Sequence, residues 1–145
     1  MIQLSRKSLM ALEAVLDVAL HARPDPVQAR DITARQGVPQ RYLEQIMQAL
    51  VRAGVLRGVR GPRGGYRLAR ERRRIPVAEI FHIIETLDGD TANPCSASEL
   101  NEKVISPFHD RLQGALAQAI GETTIADLCD QITPESGGTE NDFTI

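Results

Sequence analysis

Five polar residues in the segment 40–53 recur at helical spacing and carry side chains suited to nucleotide bases. The first is Arg41, and the others follow it by three, four, seven and eleven positions, at Glu44, Gln45, Gln48 and Arg52. Arginine can donate to guanine, glutamine can pair with adenine, and glutamate accepts from the amino group of cytosine. Apolar residues take the opposite side, at Leu43, Ile46, Met47 and Leu50. The spacing predicts a helix with a base-reading face, and a merely solvated face is the simpler alternative.

The stretch GVRGPRGGY, residues 58–66, places Arg60 and Arg63 among four glycines and one proline. Short strand-like runs, VLRGV and GYRLA, flank the turn GPRG, which predicts a β-hairpin. An arginine at the tip of a narrow hairpin suits the negative potential of a DNA minor groove. A nucleotide phosphate loop is not expected, because the stretch lacks the Gly-Lys-Ser/Thr ending and follows a helix.

The segments before this hairpin predict three helices. Ser5 is a suitable N-cap for the first, which carries apolar residues on one face, at Leu9, Leu12, Val15, Leu16, Ala19 and Leu20. The prolines in ARPDP end it. A short helix, about 29–36, should stop at Gly37, and Pro39 suits the first turn of the longer helix that runs to about Ala53. Helix, turn, helix and hairpin together predict a winged helix-turn-helix domain in a mainly α chain with a small β-hairpin wing.

Charge divides the 145-residue chain in two, although the formal net charge is −2. Residues 1–74 carry 15 lysines and arginines against 6 aspartates and glutamates, whereas residues 75–145 carry 2 against 13. The basic half therefore favours a polyanionic partner, with mutual neutralisation of the two halves as the alternative. Fourteen of the fifteen cations are arginine, which suits bidentate recognition of phosphate or guanine.

The acidic half predicts an amphipathic helix from about Val77 to near Gly89, a polar loop, and a long helix from Glu99. A stripe with alternating spacings of three and four residues runs along the long helix, at Ile105, Phe108, Leu112, Ala115 and Ala119. Such a seam favours pairing with a second copy, although an internal core position is the alternative. Pro107 predicts a kink or a start nearby. A short helix in TTIADLCDQI follows, and residues 133–145 look disordered.

Two cysteines do not make a disulfide framework, and they differ in their surroundings. Cys95, in the polar loop, is the candidate sensor thiol, with a cysteine of no regulatory role as the simpler alternative. Cys129 shares an apolar helix face and is expected in the core. His21, His82 and His109 lack metal-ligand spacing, so no metal site is predicted. With no nucleophile–base pair or carboxylate dyad in the sequence, an enzyme is not expected.

The string PQRYLEQIMQALVRAGVLRGVRGPRGGYRLA resembles the recognition helix and wing of the bacterial regulators that include IscR, NsrR and CymR. The YLEQ tetrad, from Tyr42, and the RGPxGGY string, from Arg60, are its specific parts, and the resemblance extends to about residue 132. It implies DNA contacts by Arg41, Glu44 and Arg60. It also implies a homodimer on a palindromic site.

The chain departs from the cluster-binding members of that family, which carry three cysteines in the loop before the long helix. Only Cys95 is present there, and the later ligand positions fall near Glu99 and Glu102. The acidic ligand that some members supply from the first helix would lie near Ser8. Because an iron–sulfur cluster needs mostly thiolate ligands, we expect no conventional cofactor. An atypical cluster using Cys95 with His109 or with the partner subunit is the alternative.

The sequence therefore predicts residues 1–74 as the DNA-binding domain, 75–132 as linker helix, sensor loop and dimerisation helix, and 133–145 as a tail. The expected function is transcriptional regulation by a homodimer that binds double-stranded DNA and responds to a small molecule or a thiol redox signal. A winged module for protein or RNA contacts is the alternative. Without a recognisable leader or membrane span, the cytoplasm is the expected location.

Overall fold

The computed structural model describes residues 5–22, 25–87 and 98–132. Six helices and one two-stranded antiparallel sheet follow in the order α1 (Arg6–His21), α2 (Ala29–Gln36), α3 (Gln40–Arg52), β1 (Leu56–Val59), β2 (Gly65–Leu68), α4 (Val77–Leu87), α5 (Ser106–Ile120) and α6 (Ile125–Cys129). A 3-10 turn, Arg72–Arg74, precedes α4, and a π-helical segment, Asn101–Ile105, leads into α5. The expected mainly helical chain with a hairpin wing is confirmed.

The predicted N-cap of α1 is confirmed, but the buried face of the helix coincides only in part with the predicted apolar stripe. The Ser5 hydroxyl accepts a hydrogen bond from the Ser8 backbone N–H at 3.1 Å. Leu9 is 47% exposed, and Leu12, Leu16 and Leu20 are only partly buried. Of that stripe, Val15 and Ala19 are buried, and the core-facing side is completed by Met10, Ala11, Ala14 and Val18. Alanines allow close approach of the neighbouring helices, which the bulkier leucines would prevent.

The helix-turn-helix unit forms with the predicted boundaries. Gly37 caps the C-terminus of α2 with φ 71°, a left-handed conformation that glycine adopts at little cost. Pro39 lies immediately before α3 as its N-cap residue, rather than within its first turn. The apolar stripe of α3 is fully buried, at Leu43, Ile46, Met47 and Leu50. The core-facing prediction for these four residues is therefore confirmed.

The hairpin pairs Leu56 with Leu68 at its base and Val59 with Gly65 near its tip. Its second strand also exchanges two backbone hydrogen bonds with the segment before α2, between Tyr66 and Val27, at 3.0 and 2.7 Å. A Cβ at Gly65 would lie 2.5 Å from the Val27 carbonyl oxygen, so only glycine fits this crossing. The predicted wing is confirmed, and this third backbone segment anchors it to the domain.

The hydrophobic core continues past residue 74. Side chains of α4 and α6 complete it, among them Ile80, Ile84, Ile125 and Cys129. The predicted core position of Cys129 is confirmed, because its side chain is fully buried. α6 is held by a capping box in which Thr124 and Asp127 bond reciprocally. Cys95, Gly89 and the tail 133–145 lie outside the described residues.

The long C-terminal helix changes its hydrogen-bond pattern beside Pro107. The Ser106 N–H bonds the Asn101 carbonyl, five residues back, and regular α5 follows. Proline has no N–H to donate, which explains why the ladder is re-registered at this point. The expected kink or start near Pro107 is confirmed. Among residues 5–22, 25–87 and 98–132, no helix is both long and apolar enough to cross a membrane.

Candidate nucleic-acid interface

The polar face of α3 is open to solvent while its apolar face is held in the core. The side chains of Arg41, Glu44, Gln45 and Gln48 are all exposed. Gln40 donates from Nε2 to Glu44 Oε2 at 3.2 Å, which restricts the carboxylate without covering it. Because the buried face fixes the rotation of the helix, these four side chains project together. The sequence prediction that they share an exposed face is confirmed.

The tip of the wing carries the two predicted arginines. Arg60 and Arg63 are both exposed in the turn between β1 and β2. Gly61 has φ 108°, and a Cβ at Gly64 would collide with the carbonyl oxygen of Val59. The glycines therefore allow backbone geometry that other residues would resist at these two positions, and both guanidinium groups remain exposed at the tip.

The hairpin follows α3 directly. The Val55 N–H bonds the Leu50 carbonyl at 3.0 Å, so the chain leaves the helix directly into β1. Burial raises the pKa of Tyr66 in β2, and the negative charge of Glu44 raises it further. The short turn 53–55 therefore joins α3 to β1, which makes the helix and the hairpin neighbours in the chain and in the fold.

A buried carboxylate sets the position of α2 against α1. Asp17 is buried, and its oxygens accept hydrogen bonds from Arg35 at 2.7 and 2.9 Å and from Gln36 at 2.7 Å. Burial alone would raise the pKa of Asp17, but the hydrogen bonds from Arg35 and Gln36, with the charges of Arg35 and His21, lower it overall. Sequence reasoning missed this site. The available signal was an acidic residue, Asp17, on the same side of the helix as the apolar residues Ala14 and Val18.

Two further contacts support the interface, and neither was predicted. Lys7 in α1 lies 5.2 Å from the centroid of the Tyr42 ring, a cation–π contact that positions the first turn of α3. Behind the wing, Arg70 forms a bidentate pair with Glu79 of α4 at 2.6 and 2.9 Å. Arg70 also donates to the Gly54 carbonyl at 3.2 Å, which connects the end of α3 to α4. The hydrogen bond to Glu79 raises the pKa of Arg70, so its guanidinium stays charged.

The donor set of the chain does not fit a conventional iron–sulfur cluster. The whole sequence holds two cysteines, and Cys129 is enclosed in the core. Cys95 lies outside the described residues. Ser8, at the position of the acidic ligand implied by the resemblance, is buried and hydrogen-bonded to the Ser5 carbonyl at 2.8 Å. Within the described ranges, no three histidine, cysteine, aspartate or glutamate side chains are grouped for a metal ion.

Comparison with known proteins identifies relatives of the same architecture. IscR of Photorhabdus laumondii is 34% identical over 149 residues, which cover 97% of this chain and 88% of that protein. Protein rrf2 of Nitratidesulfovibrio vulgaris is 34% identical over 97 residues, which cover 64% of this chain and 65% of that protein. The structure of T. potens IscR superposes with a TM-score of 0.72 at 29% identity, over 90% of this chain and 88% of that one.

The structure of CymR, the global cysteine regulator of B. subtilis, superposes with a TM-score of 0.70 at 23% identity, over 90% of this chain and 98% of that one, and so supports the fold. Residues 4–131 match the family model of Rrf2, described as iron-dependent transcriptional regulators. The relatives are regulators, not enzymes, and the arrangement of α2, α3 and the hairpin is the one they share. The chain belongs to the Rrf2 family of helix-turn-helix transcriptional regulators.

Proposed function

We propose that this regulator binds a palindromic DNA operator as a homodimer, through α3 in the major groove and the wing in the minor groove. The observation that carries the proposal is the exposed face of Arg41, Glu44, Gln45 and Gln48, which is continued by the arginine-tipped wing. Each subunit presents one such surface, so a two-fold dimer would contact two half-sites related by the same symmetry.

The side chains have separate roles in this proposal. Arg41 and Glu44, near the N-terminus of α3, contact base edges, with Glu44 accepting from cytosine. Gln45 and Gln48 extend the readout along the helix. Arg60 and Arg63 enter the minor groove, where the response to groove width adds specificity without direct base contacts.

The homodimer is supported by the exposed apolar stripe of α5 and the segment before it. No residue of α5 is buried, and Phe108 and Leu112 are 46% and 47% exposed. Ile105, Ala115 and Ala119 continue the same seam at spacings of three and four residues. A contiguous exposed apolar face of this kind is stabilised when a second copy covers it, as in a coiled coil.

The regulatory signal is proposed to act without a conventional iron–sulfur cluster, because the thiolates for one are lacking. A small-molecule effector, or oxidation of Cys95 in the sequence segment that precedes the long helix, is the proposed input. Cytoplasmic location is part of the same proposal, since the operator is chromosomal DNA.

The test is selection of operator sequences from a randomised duplex library with the purified full chain. A palindromic consensus with two equivalent half-sites is the expected result. The Glu44→Ala variant should accept additional bases at one symmetric pair of positions and retain its affinity for random DNA. Glu122→Ala, which removes an exposed carboxylate after α5, is the matched control and should select the same consensus as the wild type.

A chain that selects no duplex sequence but enriches a single-stranded RNA would support the RNA-binding alternative and contradict the proposal. Equal loss of affinity by the Glu44→Ala variant on every sequence would contradict base reading by Glu44. Anaerobic purification with iron and sulfide assays belongs to the same preparation. Stoichiometric iron and sulfide would contradict the cluster-free mechanism, and Cys95 would then be the first residue to replace.

A further inference from the structure

A second basic site lies away from the recognition helix and the tip of the wing. A cavity of about 580 Å³ opens between the C-terminal part of α1, the base of the hairpin, the segment 70–73 and α6. Five arginines line it together with one carboxylate, at Arg57, Arg67, Arg70, Arg72, Arg73 and Glu71. None of its lining residues belongs to α3 or to the turn at 60–63. Its volume is within the range of small-ligand sites.

The arginines around this cavity are neutralised to different degrees. Arg70 is paired with Glu79, and Arg73 contacts Glu71 at 3.0 Å. Arg72 and Arg67 each donate to a backbone carbonyl in or after α1, at Ala19 and Ala22, over a long 3.4 Å.

Among the described residues, no carboxylate lies within ion-pair distance of Arg57 or Arg72. Arg57 faces solvent directly opposite Arg67 across the hairpin. Both arginines therefore lie on the face of the hairpin that lines the cavity.

We infer that this cavity binds a small multivalent anion, of the class of a diphosphate or a polycarboxylate, through Arg57, Arg67 and Arg72. Planar guanidinium groups hold such oxygens with paired hydrogen bonds. The ligand would connect the wing to α1, at the place where the segment 70–73 continues into α4. Its effect on operator affinity rests on the proposed function above, whereas its binding does not.

The experiment is calorimetric titration of the full-length protein with inorganic pyrophosphate, in the absence of DNA and at about 0.15 M salt, where diffuse surface attraction is screened. We expect saturable binding with one site per chain. Arg57→Gln and Arg72→Gln should each weaken it by about tenfold, the effect of one lost charged hydrogen bond.

Arg30→Gln, which removes an exposed arginine of α2 outside the cavity, is the matched control and should bind as the wild type does. Thermal unfolding of each variant verifies that the fold is intact. Arg57 is exposed, and within the described residues its side chain makes no hydrogen bond or ion pair.

Three outcomes would overturn the inference. One is the absence of saturable pyrophosphate binding. Another is an equal loss in all three variants, which would indicate attraction to basic surface in general. The third is a loss of duplex affinity in Arg57→Gln with unchanged pyrophosphate binding, which would assign the cavity to the phosphate backbone of DNA. If operator selection fails while pyrophosphate still binds and the binding depends on Arg57, the proposed function is rejected. The inference about the cavity is then still supported.

Discussion

The two amphipathic helices α3 and α5 have similar sequence patterns and opposite surroundings. Each places apolar residues at spacings of three and four along one side. In α3, that side is buried completely, at Leu43, Ile46, Met47 and Leu50. In α5, no residue is buried at all. The same periodicity therefore describes a helix that fills the core of its own chain and a helix that leaves its apolar side uncovered.

The difference arises from what flanks each helix. α3 lies between the turn at Gly37 and the hairpin, which starts at Leu56. Both connections are short, so the helix stays packed against the core. α5 follows a core already filled by α4, and the chain then returns through α6 to insert Ile125 and Cys129. Periodicity predicts amphipathic helices, whereas the identity of the surface that covers them depends on the complete chain. The predictions below test whether the two apolar faces differ as we propose.

The largest expected effect is on association through α5. Leu112→Glu would place a carboxylate in the seam of each of two subunits, at a cost of roughly 2 kcal/mol per copy. The dimer dissociation constant should then rise about a thousandfold. Sedimentation equilibrium over a range of protein concentrations measures it, and the variant should sediment as a folded monomer with unchanged helix content.

Ala117→Glu is the matched control, because Ala117 is also exposed on α5 but lies off the seam. It adds the same charge and should leave the dimer intact. A wild-type chain that is monomeric at every concentration would contradict the proposed pairing. Equal dissociation by both glutamates would show that charge on α5, and not the seam, controls association.

The next largest effect is on the stability of the single chain, through the buried side of α3. Leu43→Ala should lower the free energy of unfolding by roughly 3 kcal/mol, since it empties a fully buried position. Urea unfolding in the monomeric Leu112→Glu background measures this cost without an association step. In the same background, Phe108→Ala should cost less than about 1 kcal/mol, because the partly exposed ring covers no core of its own chain. Equal costs at the two positions would contradict the distinction between the helices.

The parts of the fold that depend on local chemistry were predictable. Gly37 ends α2, and the glycines of residues 58–66 form a hairpin tip, because these conformations favour glycine wherever they occur. The exposed face from Arg41 to Gln48 followed from periodicity alone. On α1, the leucine stripe did not identify the side that packs into the core, since Leu9 is exposed and the alanines are buried. The choice between two apolar faces of one helix depends on neighbours that arrive later in the chain.

Contacts between distant residues could not be predicted. Asp17 bonds to Arg35 and Gln36 of the neighbouring helix, and Arg70 pairs with Glu79 of α4. Such pairs require a known packing angle between elements, which periodicity does not provide. The cavity at Arg57 and Arg72 was missed for the same reason, because its lining comes from four separate segments. Charge composition indicated a basic half but not two basic surfaces within it.

A smaller effect is expected on operator affinity, and it tests whether DNA contacts the basic half of the chain and not the acidic half. Arg60→Ala should weaken operator binding by about 1–3 kcal/mol, as expected for one positioned arginine contact. It should also reduce the slope of log affinity against log salt by about 1 if the guanidinium neutralises a phosphate charge. Fluorescence anisotropy with a labelled operator, at several salt concentrations, measures both quantities. Lys103→Ala removes an exposed cation from the acidic half and should change neither; unchanged affinity in Arg60→Ala would contradict the role of the wing.

The smallest effect concerns the buried charge of the N-terminal half. The pKa of Asp17 is lowered below its ordinary value of 3.8 in the folded chain, so its ionised form stabilises folding at neutral pH. This contribution is present above about pH 4 and is lost as the pH falls through the lower, folded-state pKa. Asp17→Asn should therefore reduce the free energy of unfolding by about 1 kcal/mol at pH 7, with a smaller difference from the wild type near pH 3. Asp110→Asn changes an exposed carboxylate of α5 and should match the wild type at both pH values. A difference for Asp17→Asn that grows on acidification would show that burial dominates over Arg35 and Gln36, and would remove this carboxylate as the group that positions α2 against α1.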